Sequence, residues 1–142
     1  MSRQLRLILL GLLTVTLIDA GGSIASRVLN FDYGYFAPLS LLNYGFIGYL
    51  TARHYNASKA LVAGAALGLF DVTAGWQLSI VLEANAEGLQ PEVGSSMWLV
   101  TVLFGIGLAA VAALVGGWIG TRTSRKTTPP LTSRRSSSIR TH

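Results

Sequence analysis

Four stretches of this chain, roughly residues 7–26, 35–52, 60–82 and 97–120, contain no acidic or basic residue except Asp19 and Asp71. Crossing the hydrocarbon of a bilayer takes about 20 apolar residues in helical form. All four stretches meet that length, the second only narrowly. In lipid a backbone must satisfy its own hydrogen bonds, so each stretch is expected to be a helix. The alternation and short turns of an outer-membrane barrel are absent. A soluble domain carries about 25% charged residues; here the figure is 12%, with 51% hydrophobic residues and a mean hydropathy of +0.50. Four helices and a tail use nearly all of the 142 residues. The expected architecture is therefore an all-α membrane protein. Four transmembrane helices form a compact bundle over 1–120, followed by a disordered, basic, Ser/Thr-rich cytoplasmic tail over 121–142.

The first stretch begins as a signal peptide would, with Arg3 and Arg6 ahead of Leu7–Leu13. Its apolar run then continues past the usual hydrophobic region of about 7–15 residues. Ala20-Gly21-Gly22 offers small residues for cleavage, but a retained helix is the expectation.

Charge sorts by loop. Arg3 and Arg6 precede the first stretch, Arg53 and Lys59 flank the link between the second and third, and Arg122, Arg125, Lys126, Arg134, Arg135 and Arg140 follow the fourth. With alternating helices these all fall on one side. The other side has Arg27 beside Asp32, Glu83, Glu87 and Glu92. The positive-inside rule then puts both termini in the cytoplasm, in a multi-pass protein of the cell inner membrane. Trp98, Trp118, Tyr33, Tyr35, Tyr49 and Tyr55 fall at helix ends, where aromatic side chains favour the headgroup level. Tyr44 and Trp76 read equally well as packing aromatics.

The tail is too polar to bury a core. Arg122, Arg125, Lys126, Arg134 and Arg135 are expected to hold it to anionic headgroups, at about 1 kcal/mol per basic residue near the surface. The expected partners are thus the bilayer, anionic lipid, and a second copy or other membrane subunits, with no nucleic acid. Asn56-Ala57-Ser58 matches the glycosylation sequon but falls in a link expected to be cytoplasmic.

Small residues mark the packing faces. Gly64, Gly68, Asp71 and Gly75 lie at steps of four, three and four, on one stripe of the third helix. Thr101, Gly105, Ala109, Ala112, Gly116 and Gly120 form a comparable stripe in the fourth. Thr16, Asp19, Gly22, Ser23 and Ser26 share a face of the first, and Ser40 and Asn43 lie in the second. Such stripes let helices approach closely in lipid. An echo links the halves: Gly45-Phe46-Ile47-Gly48 before Arg53, and Gly117-Trp118-Ile119-Gly120 before Arg122. Together with Asp19 and Asp71 it suggests two repeated hairpins.

Insertion of an Asp at mid-membrane costs roughly 2.5–3.5 kcal/mol. No Lys or Arg lies deep enough to pair with either one, and Arg27 is two turns beyond Asp19. Two readings follow. In the structural one, each carboxyl hydrogen-bonds across helices to Asn43, Gln77 or a Ser or Thr. In the functional one, Asp19 and Asp71 bind a proton or cation, sharing one proton if they face each other.

Cysteine is absent, which excludes disulfides, thiol catalysis and thiolate metal sites. His54 lies in a link and His142 ends the chain, so no metal site, cofactor motif or catalytic triad can be assembled. The chain is not expected to be an enzyme. The order Gly21-Gly22, Arg27, Asn43-Tyr44-Gly45 and Gly64-Gly68 loosely resembles that of small fluoride channels. Phe70-Asp71-Val72-Thr73 stands where those have a Thr-rich break, so no family is assigned. The leading expectation is a non-enzymatic subunit or packing partner of a membrane complex. The alternative is a small proton- or cation-coupled transporter or channel using Asp19 and Asp71.

Overall fold

The computed structural model describes residues 2–85 and 95–126, with side chains for 2–85 and 98–123. Among these residues the chain is helical, without strands. Helix α1 spans Arg3–Leu29; Ser2 caps its first turn by accepting from the Leu5 N–H, and Asn30 closes it in a left-handed conformation. A 3-10 turn, Tyr33–Phe36, leads into α2, Ala37–His54, whose first turn takes Pro38 without losing a needed N–H. Asn56 caps α3, Ala57–Phe70, by accepting from the Lys59 N–H at 2.9 Å. A π-helical segment, Asp71–Gly75, carries α3 without interruption into α4, Trp76–Val81. The last helix, α5, spans Ser95–Lys126.

Among the described residues, three helices are long and apolar enough to cross a membrane: Arg3–Leu29, the continuous helix Ala57–Val81, and Trp98–Thr123. The 18-residue α2 does not reach that standard. It breaks its apolar run with Asn43 and ends on Arg53 and His54. Helix α5 also runs through Lys126, so the boundary expected at residue 121 falls inside the helix. Most of the outer loop read from sequence, and the tail beyond Lys126, lie outside the described residues.

Helices α2 and α3 pack on each other, and α1 and α5 each pack on both. Contacts fix the directions. Gly11 of α1 meets Leu67 of α3 while Asp19 approaches Gly75, so α1 and α3 run together. Gly45 and Tyr49 of α2 meet Gly116 and Gly120 of α5, so these helices also run together. Gly64 and Gly68 of α3 meet Ala113 and Ala109 in reverse order. The start of α1 and the α2–α3 link therefore share one end, where Arg3 donates to His54 across 3.0 Å. At the other end Tyr33 donates its N–H to the Asn85 carbonyl at 2.8 Å, and Arg27 pairs with Glu83 at 3.0 Å.

The core holds Val15, Tyr44, Ile47, Ala63, Leu67 and Ala109. The outer surface is just as apolar. Leu13, Leu17, Leu42, Phe46, Leu103 and Phe104 are all exposed, in a band that spans several helices. A soluble monomer rarely shows a continuous apolar surface of this extent. A surface facing lipid requires one.

Candidate functional site

One face of α1 carries Val15, Asp19, Gly22, Ser23 and Ser26, all buried. The hydroxyls of Ser23 and Ser26 donate back to the carbonyls of Asp19 and Ser23, at 2.6 and 2.9 Å. They are satisfied within the helix and are not aimed at the Asp19 carboxyl. That carboxyl, on a residue only 1% exposed, must find partners elsewhere. Its Oδ1 accepts from the Tyr33 hydroxyl at 2.9 Å. Tyr33 is held in place by its own turn, where Asp32 caps the Gly34 N–H at 2.5 Å. Among the described residues, Asp19 Oδ2 meets no donor group; the neighbouring Asp71 carboxyl can serve the Asp19 carboxyl as a partner only through a shared proton.

Asp71 opens the π segment, and its Oδ2 accepts from the Tyr44 hydroxyl of α2. Single-turn π bulges recur at functional sites because the extra residue re-aims a side chain. Here both carboxyls converge on Gly75. A Cβ at that glycine would collide with Asp19 Oδ2 and lie 2.9 Å from Asp71 Oδ1. The two carboxyls are close enough to interact directly. Two carboxylates alone offer each other only acceptors, so a bond between them requires a proton in the gap.

The pair lines a cavity of about 480 Å³ between the helices. Ser40 and Tyr44 come from α2, Trp76 and Ser79 from α4, and Trp98 and Gly105 from α5. Ser79 sits beside the Tyr33 hydroxyl and Ser40 beside that of Tyr44. No Lys or Arg is among the described residues that line it.

The structure thus brings Asp19 and Asp71 together and leaves Asn43 apart. Asn43 donates its side-chain amide to the Gly11 carbonyl at 3.2 Å, joining α2 to α1. Gln77 is exposed. Neither is the carboxyl partner expected from sequence; Tyr33 and Tyr44 take that role. Tyr33 had the look of a membrane-edge aromatic. Tyr44 lies four residues from Ser40 and three from Ile47, both buried, and that spacing was the available signal for an inward phenol.

The glycines divide by neighbour. Gly64 and Gly68 face α5, Gly105 faces Val72, and Gly116 and Gly120 face the Gly45 and Tyr49 carbonyls of α2. Gly75 makes room for the carboxyls. Gly48, against the Ala113 backbone, belongs with them. Of the basic residues assigned to lipid, Arg122 is exposed and stacks 3.5 Å above the Trp118 ring. Arg125 and Lys126 fall in the last turn of α5, and Arg134 and Arg135 lie outside the described residues. Comparison with known family models, characterised proteins and solved structures finds no match.

Proposed function

We propose that the chain is a small, non-enzymatic, multi-pass membrane carrier or channel in which Asp19 and Asp71 together bind and release a proton or cation. Helix α2 is the fourth crossing. Its 18 residues reach roughly 27 Å at 1.5 Å per residue, against a hydrocarbon core of about 30 Å. Both termini face the cytoplasm of a cell inner membrane, because the basic residues gather at the end of the molecule that holds Arg3 and His54.

The observation that carries this reading is the unpartnered Oδ2 of Asp19, buried at a cavity beside a second carboxyl. A purely structural pair would be dry and fully satisfied. An intramembrane acid that lies at a cavity and is not fully satisfied fits a transport pathway better than a packing subunit. The test is a pH gradient imposed across proteoliposomes containing the purified protein. Gradient collapse above the protein-free rate is expected, and Asp71→Asn should lower it at least tenfold, about 1.4 kcal/mol in barrier terms. Equal rates for wild type and Asp71→Asn would remove Asp71 from the mechanism.

A further inference from the structure

We propose that the cavity at Asp19 and Asp71 binds a small organic ammonium ion with an apolar body. This rests on the carboxyl-pair reading above and names its ligand class.

Asp19 is 1% exposed and is among the residues lining the cavity, and its Oδ2, packed against Gly75, meets no donor group among the described residues. A ligand that brings a positive charge into the cavity beside the two carboxyls offsets their charge. Asp71 adds a second acceptor on the same side of the cavity. The volume of about 480 Å³ falls within the range of roughly 300–1,000 Å³ that holds small organic molecules. A bare divalent metal needs about six or more oxygen ligands for Ca²⁺, or near-ideal octahedral geometry for Mg²⁺. Among the described residues no group of three acidic or His side chains is placed to hold one.

The walls suit an organic cation. Tyr33, Tyr44, Trp76, Trp98 and Phe104 line the same space, and aromatic faces attract ammonium groups held against them. Most of the remaining lining is aliphatic, which fits an apolar body. The absence of Lys and Arg from the lining, among the described residues, sets the anionic limit. A ligand with a phosphate, including a zwitterionic lipid headgroup, would bury that charge beside two carboxyls.

The test is calorimetric titration of the purified full chain in detergent, run in two buffers of different ionisation enthalpy so that proton release is counted. Benzyltrimethylammonium should bind and displace a proton, with an affinity about tenfold above that of tetramethylammonium. Asp71→Asn should weaken binding by about tenfold or more. Tyr44→Phe keeps the ring and removes the hydroxyl that holds Asp71, so it should weaken binding too; it serves if Asp71→Asn does not fold. Proton displacement by sodium but not by either ammonium ion would overturn the ligand class and leave the carboxyl-pair reading standing. Phosphocholine binding as tightly as benzyltrimethylammonium would overturn the exclusion of phosphate. No proton displaced by any of these ions would overturn both readings.

Discussion

Tyr33 holds one oxygen of the buried Asp19 carboxyl and Tyr44 one oxygen of the half-buried Asp71 carboxyl, and Gly75 keeps a side chain out of the space between the carboxyls. This division of labour gives a sharp expectation at a single residue. Gly75→Ala places a methyl group against Asp19 Oδ2 and Asp71 Oδ1, so the carboxyls must part or the helix must shift. Overpacking of this kind costs about 1–3 kcal/mol. The variant is expected to melt lower than wild type and to collapse a pH gradient more slowly. A Gly75→Ala protein with wild-type flux and melting temperature would show that the carboxyls do not need this gap. The two aspartates were visible in the sequence because a charge inside an apolar run has no neutral explanation. Their partners were not, because Tyr33 and Tyr44 lie 14 and 27 residues from the carboxyls they bind. Those distances are bridged by helix register and by the turn at Tyr33–Phe36, which apolar periodicity does not encode.

At the scale of elements, the caps at Ser2 and Asn56 came from the structure, while the helices themselves could be read from apolar length. The π segment could not. The spacing of Gly64, Gly68, Asp71 and Gly75 looks the same whether or not an extra residue is wound into the turn. The segments Gly45–Arg53 and Gly117–Arg122, whose echo suggested repeated hairpins, run side by side where α2 meets α5, a packing contact that does not test the repeat. Backbone meets backbone there. A Cβ at Gly48 would strike the Ala113 main chain, and one at Gly116 the Gly45 carbonyl. Gly48→Ala should therefore destabilise the protein by about 1–3 kcal/mol. Gly21→Ala, with nothing within 4 Å of the added carbon, should be neutral or slightly stabilising, since Ala is the better helix former. Thermal melts of both variants in one detergent check this, and equal melting temperatures would argue against the close α2–α5 crossing.

Across the whole molecule, basic side chains mark one end, and a band of exposed leucine, valine and phenylalanine runs between the ends. The proposed topology puts Asn56 in the cytoplasm and Glu83 outside. The chain has no cysteine, so single cysteines report position cleanly. In intact cells with a permeable outer envelope, Glu83→Cys should react with a membrane-impermeant maleimide and Asn56→Cys should not. The reverse pattern would invert the topology. The central claim is narrower than topology: the two carboxyls hold a proton between them and exchange it for a cation from the cavity. Infrared difference spectroscopy reads this directly through the C=O stretch of a protonated carboxyl. Adding benzyltrimethylammonium to the purified protein should bleach such a band in wild type, and Asp71→Asn should lose or shift it. A ligand-bound protein with no change in any carboxyl band would contradict the account.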